Sequence, residues 1–293
     1  MKEFEYHRPA SIEEATALLA RYGGEARVLA GGQSLLNMMK WRLVAPRALI
    51  DANRLAGLKA VQATGDGVRI GAPARYADLS DAVPPGYGAI HDALEVIADI
   101  QVRNLGTLGG SCCQADPFGD MPNVVVALDA EFEARSGAAV RRIGVDRFFT
   151  GPLQTALSPD EILSAVHLPP LPVGAGSAYE KFAWRFGDFA IASVAANLAL
   201  GATGRCVGCR LVAGGMGLGP VRLTEAENAV IGKEIGDSLV RQAAIAAAGE
   251  VNPEHDPIYG SADYKRALVE TMTARALRRA CERALSGSKA RAQ

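Results

Sequence analysis

The sequence lacks any uninterrupted apolar run long enough to span a bilayer, and its start, Met1-Lys2-Glu3-Phe4-Glu5-Tyr6, puts acids where a signal peptide needs an apolar core. A cytoplasmic chain with no membrane insertion is therefore expected. Excess charge is also missing: 31 basic and 32 acidic residues leave a net charge of −1. Without clustered Lys and Arg there is no electrostatic footprint for nucleic acid, and Arg141-Arg142 or Arg275, Arg278 and Arg279 read as solvated faces. Cysteine is scarce, with five residues at scattered positions, an odd number that does not make a disulfide framework. Cys206-x-x-Cys209 has no second pair to complete a metal site, and His7, His91, His167 and His255 are too far apart in sequence to suggest a triad or a metal cluster. The four spaced cysteines of an iron-sulfur site are absent, so such chemistry would have to come from another chain.

What the 293 residues do contain is enough apolar material for two domains and a pattern that changes along the chain. Ser11 caps a helix through Tyr22, with Glu14 completing a capping box and Gly23-Gly24 ending it. Short strands are expected at 26–29, 47–52 and 68–72, helices at 76–82 and 89–97, and alternating segments of antiparallel sheet at 131–134, 139–143 and 161–168. Asp51-Ala52-Asn53 reads as a turn. The run Pro169-Pro170-Leu171-Pro172-Val173-Gly174-Ala175-Gly176 is the clearest linker. It divides an expected domain 1–175, with subdomains of about 1–57 and 58–175, from a second at 176–286 that holds strands near 177–184, 195–200 and 206–213 and helices at 239–248 and 265–285. Residues 287–293 are expected to be a disordered tail.

Two glycine segments stand out. Leu29-Ala30-Gly31-Gly32-Gln33-Ser34-Leu35 lies between a strand and a helix start, where free amides can face an anion. It is neither a P-loop, since no Gly-Lys-Ser/Thr follows, nor a Gly-x-Gly-x-x-Gly unit. The second, within Arg103 to Pro122, has three glycines in five positions (Gly106, Gly109, Gly110), hydroxyls on Thr107 and Ser111, and the carboxylates of Asp116 and Asp120. Amides with a few hydroxyls and carboxylates suit a phosphate-bearing cofactor.

These segments, with Ala115-Asp116-Pro117, Lys181-Phe182 and Gly187-Asp188-Phe189-Ala190 in the same order, resemble the FAD-binding medium subunit of molybdenum hydroxylases, the group of aerobic carbon monoxide dehydrogenase and xanthine dehydrogenase. The resemblance implies an α+β fold: a two-lobed FAD-binding domain of the p-cresol methylhydroxylase/xanthine dehydrogenase type, then a smaller α+β C-terminal domain. It implies a non-covalent FAD held by Leu29, Ala30, Gly31, Gly32, Gln33, Ser34 and Leu35, and by Thr107, Leu108, Gly109, Gly110 and Ser111, with the pyrophosphate cradled mostly by backbone N–H groups. Ala115, Asp116 and Asp120 would meet hydroxyls, Lys181 would lie near the flavin, and Phe189 would approach its ring face. Many relatives carry Tyr at that last position, Asn in place of Ser111 and, in the carbon monoxide branch, His in place of Gln33. No side chain is implied as a catalytic acid or base. The implied partners are a large molybdopterin-binding subunit and a small subunit with [2Fe-2S] clusters, in a dimer of heterotrimers, with this chain relaying electrons to an external acceptor.

Blander readings sit beside these. Asp120 could cap a helix beginning near Pro122, Phe189 could be core, Lys181 an exposed strand position, and Met38 and Met39 packing. The whole chain could also be a flavin-free scaffold of the same complex or a stand-alone FAD oxidase.

Overall fold

The computed structural model describes residues 1–55 and 57–291, with side chains up to Gly287. The described chain divides into two compact units, one formed by residues 1–83, 99–114 and 130–168 and the other by 84–98, 115–129 and 169–293. Both mix helix and sheet, giving the α+β class.

Among the described residues, the first unit holds a parallel three-stranded sheet in the order Glu5–His7, Ala48–Asp51, Ala26–Leu29. Helix Ile12–Tyr22 packs on it through Ile12, Ala15, Leu19 and Tyr22, the positions that helical spacing places on one face. The Ser11 hydroxyl accepts from the Glu14 amide at 3.1 Å, and Gly23 ends the helix at φ 56°. The unit also holds a five-stranded antiparallel sheet ordered Val61–Thr64, Gly67–Gly71, Ile162–Leu168, Glu131–Ser136, Ala139–Gly144. The parallel sheet positions the first glycine segment, because that segment leaves the carboxyl end of Ala26–Leu29 beside the end of Ala48–Asp51.

The second unit is built on an antiparallel sheet, Ala175–Phe182, Ala192–Leu200, Cys206–Gly214, Val221–Arg222, backed by helices Thr224–Val230, Asp237–Glu250 and Ala262–Arg291. Their small apolar residues, among them Ala243, Ala247, Ala276, Ala280 and Ala284, let helix and sheet approach closely. The long helix runs past Leu285 to Arg291, beyond the end its apolar spacing suggests; of the expected tail 287–293, residues 292 and 293 lie outside the described residues. The stretch 103–122, which reads as a loop in sequence, contains the helices Leu108–Gln114 and, from Asp120, Asp120–Ala127. The glycines of the first are tolerated because tertiary hydrogen bonds hold it. No described helix is long and apolar enough to cross a membrane.

Candidate functional site

In the first unit, the turn between strand Ala26–Leu29 and helix Leu35–Lys40 has an unusual hydrogen-bond pattern: its carbonyls are held one after another. The Leu29 carbonyl accepts from the Ala52 amide at 2.9 Å, Gly32 from Leu36 at 3.1 Å, and Ser34 from Met38 at 3.0 Å. Side chains hold the others: Asn53 Nδ2 donates to Ala30 O at 2.8 Å, Gln33 Nε2 to Gly31 O at 3.0 Å, and Asn37 Nδ2 to Gln33 O at 2.8 Å. All peptides here are trans, so the N–H across each peptide plane points away from its anchored carbonyl. Among the described residues, none of the amides of Ala30 to Leu35 donates to the protein. Six successive donors without a protein acceptor, in a partly exposed turn, form a backbone cradle for an anion. Gln33 thus builds the turn with its side chain.

The second glycine segment lies directly against the first. A Cβ on Gly31 would overlap the Leu105 carbonyl and the Cα of Gly106, so the main chains meet there without room for a side chain. Gln114 Nε2 reaches Met38 Sδ at 3.5 Å, tying the two following helices. The donor pattern differs from the expectation that Thr107 to Ser111 present free amides. Leu108 donates to Ala74 O at 3.1 Å, Gly109 to Ala72 O at 2.9 Å and Ser111 to Thr107 O at 3.0 Å, while Gly110 donates to Thr107 Oγ1 at 3.1 Å. The segment therefore docks as a strand-like edge, with Tyr76 donating to Gly106 O at 2.9 Å. It leaves the Thr107 amide and the Thr107 and Ser111 hydroxyls as the donors it can turn to a ligand.

The other expected residues belong to the second unit. Ala115 has φ 48°, and Asp116 Oδ1 accepts from the Phe118 amide at 2.9 Å, closing a local turn. Asp120 opens helix Asp120–Ala127 without capping it; its carboxylate takes Tyr179 Oη at 2.5 Å and Lys181 Nζ at 3.0 Å. Lys181 Nζ also donates to Val96 O at 3.1 Å. The pair is buried, with side chains 4 % and 8 % exposed, so Lys181 is not the exposed strand position that alternation allows. Burial pushes the Asp120 carboxyl above its usual range, against the opposing pull of Lys181 and its hydrogen bonds. Burial, then the Asp120 charge, holds the Tyr179 phenol well above its ordinary value. Phe189 is not core: it is 63 % exposed and, with Trp184 and Tyr259, borders a pocket of about 330 Å³. Among the described residues no group of three or more His, Cys, Asp or Glu is placed to hold a metal ion.

Sequence reasoning missed Asn53, Asp51, Tyr6 and Tyr179. Tyr179 shares a strand face with Lys181 by the two-residue period, a signal the alternation itself offered. Asn53 could be placed only by knowing that Leu29 lies opposite Asp51 in a parallel pair.

The donor set of the first unit, backbone amides with a few hydroxyls, fits the phosphates of FAD. Comparison with known proteins agrees. The family model described as FAD binding domain in molybdopterin dehydrogenase matches residues 2–171, and that of the CO dehydrogenase flavoprotein C-terminal domain matches residues 177–280. The glyceraldehyde dehydrogenase medium chain of Sulfolobus acidocaldarius is 38% identical over 94% of this chain and 98% of its own. The 6-hydroxypseudooxynicotine dehydrogenase complex subunit alpha of Paenarthrobacter nicotinovorans is 35% identical over 96% and 95%. Among solved structures, the carbon monoxide dehydrogenase from Hydrogenophaga pseudoflava that lacks the Mo-pyranopterin moiety of its cofactor superposes with a TM-score of 0.91, at 37% identity, over 96% of this chain and 98% of the other. This chain therefore belongs to the FAD-binding medium subunits of the molybdenum hydroxylases and is an oxidoreductase subunit.

Proposed function

We propose that the chain holds FAD non-covalently and relays electrons from [2Fe-2S] clusters on a small partner chain to an external acceptor. A large molybdopterin-binding partner oxidises the substrate, within a cytoplasmic dimer of heterotrimers. The observation that carries the reading is the row of unpaired amides from Ala30 to Leu35. When bound, FAD supplies the capacity to accept electrons singly and release them in a different number. The protein's tasks are to bind, orient and shield it.

The amides of the first segment are the natural holders of the pyrophosphate oxygens, assisted by the Thr107 and Ser111 hydroxyls, and no phosphate-binding lysine is needed. Ala115, Asp116, Asp120, Lys181 and Phe189 are assigned to the cofactor through the family motif. Asp120 and Lys181, locked to each other and to Tyr179, suit a supporting role more than direct contact. Phe189 offers an apolar ring face without the phenol that many relatives carry. The three relatives named above act on different substrates by name while matching this chain along most of its length, which supports assigning substrate choice to the large partner.

The test is acid precipitation of the purified chain or complex. FAD should pass into the supernatant and leave colourless polypeptide. Flavin retained on the protein would refute the non-covalent assignment, and a complex with iron-sulfur absorption but no flavin would refute the relay and leave a scaffold.

A further inference from the structure

We propose that Asn53 is the positioning residue of the amide row, fixed in place by Asp51 and Tyr6. The inference rests on the FAD reading above and deepens it, by naming the side chains that aim the pyrophosphate donors.

The Asn53 carboxamide nitrogen has two hydrogens and two close acceptors, Ala30 O at 2.8 Å and Asp51 Oδ1 at 2.9 Å, with Leu29 O farther off at 3.5 Å. Since its neighbours are all acceptors, the nitrogen and not the oxygen must face them, and the orientation of the amide is determined by the network. Asp51 in turn is held at three points. Its Oδ1 also accepts the Asn53 backbone N–H at 2.9 Å, and its Oδ2 accepts from Tyr6 Oη at 2.6 Å. Burial raises the Asp51 carboxyl, but the hydrogen bonds from Tyr6 and Asn53 outweigh that and hold it below its ordinary value, so it is an acceptor at neutral pH. Tyr6, Asp51 and Leu29 come from the three strands of the parallel sheet, whose register sets Tyr6 beside Leu49 and Leu29 beside Asp51. The sheet thus delivers the relay to the root of the glycine turn.

The consequence follows from peptide geometry. The peptide between Ala30 and Gly31 has glycine on one side, so its plane can rotate at little steric cost. Anchoring the Ala30 carbonyl on Asn53 removes that freedom and turns the Gly31 N–H the opposite way, toward the ligand side of the turn. Leu29 O is held by the Ala52 amide, and the carbonyls of Gly31 to Ser34 from within the turn and the helix that follows it; Ala30 alone relies on a side chain from a different strand end.

The full-length chain, freed of flavin, is titrated with FAD and with riboflavin, which has the ring but no phosphates, and binding is followed by flavin fluorescence. Asn53→Ala should weaken FAD about tenfold or more and riboflavin by less than about twofold, because only FAD uses the aimed amides. Unchanged FAD affinity would overturn the inference. So would an equal loss for both flavins, which marks a merely structural role. If Asn53→Ala does not fold by circular dichroism, Tyr6→Phe decides: Tyr6 is half exposed, its loss removes one hydroxyl, and the same FAD-selective weakening, of a few-fold, is required. A wild-type chain that binds neither flavin would sink the cofactor reading first, a failure distinct from that of the variants.

Discussion

Gly31→Ala probes the meeting of the two glycine segments most directly. A methyl there would lie inside the van der Waals envelope of the Leu105 carbonyl and the Gly106 Cα. All of these are main-chain atoms, so no rotamer change relieves the overlap and the two segments must part by about 1 Å. Gly31 is not in the left-handed region, and the cost is therefore overpacking alone, about 2–4 kcal/mol. Because Gly106 O also accepts from the Tyr76 amide and Leu108, two residues on, donates to Ala74 O, displacing Leu105–Gly106 loosens both segments at once. For a chain of this size the apoprotein should melt about 5–12 °C lower, and FAD affinity should fall about tenfold or more as the amides leave their common orientation. The assay is a pair of thermal melts by circular dichroism, with and without saturating FAD, next to a fluorescence titration. Gly65→Ala is the control: a Cβ there meets nothing within 4 Å, and the change should stay within about 0.5 kcal/mol. A Gly31→Ala protein as stable as wild type and filled with FAD to the same extent would refute the claim that these main chains are in contact.

Further predictions follow from the buried charges. Lys181→Met leaves the Asp120 carboxylate buried without its counter-charge and should cost about 3–5 kcal/mol in urea unfolding, with part of the loss recovered by adding Asp120→Asn; a loss below about 1 kcal/mol with no coupling would contradict the pairing. Burial pushes Glu133 up, but hydrogen bonds from Ser164, His167 and Arg69 outweigh it and hold the carboxyl at about 2. A depressed carboxyl stabilises the fold above its unfolded value of about 4.5 and loses that contribution as pH falls toward 2, so about 3 kcal/mol should fade across that window. Urea midpoints measured between pH 7 and 3 should show this acid limb in wild type and a flatter one in Glu133→Gln; equal slopes would exclude Glu133 as its source.

Much of this molecule was legible from local signals. The Ser11 cap and Gly23 bounded the first helix because the cap chemistry is contained within a few residues, although the Glu14 carboxylate accepts from the Ala10 amide and not from Ser11, so the capping box is not closed. The longer strands of both units followed from apolar patterning and from glycine and proline breaks, whereas the short outer strands Glu5–His7, Val61–Thr64 and Val221–Arg222 were not expected. The helix from Asp120 was expected near Pro122, but Leu108–Gln114 was not legible: it opens Leu-Gly-Gly, a weak helix former, and is held by tertiary bonds to Ala72 and Ala74 that lie more than thirty residues away. Those long-range bonds take the Leu108 and Gly109 amides, and Thr107 takes those of Gly110 and Ser111, so most of the amides that the glycine pattern advertised are used. Lys181 and Asp120 were picked out as residues, but their mutual pairing and the part of Tyr179 depended on which strand face packs on the helix from Asp120.

The contrast between the two glycine segments carries a general point about reading anion sites. Both have the composition of a cradle, yet only the turn at Ala30–Leu35 keeps its donors free, and the difference lies in what holds the carbonyls. In that turn, side chains and the following helix take the oxygens, so the nitrogens are left over and point together. In the segment from Thr107, an adjacent main-chain edge takes the nitrogens of Leu108 and Gly109 and Thr107 itself those of Gly110 and Ser111. Glycine makes either outcome sterically possible, but the neighbouring carboxamides decide between them. Asn37, Gln33 and Asn53 are therefore better markers of the anion-facing turn than the glycines, and exchanging any one of them for an apolar residue of similar size should free a carbonyl to turn and lower FAD affinity while leaving the helical content by circular dichroism unchanged.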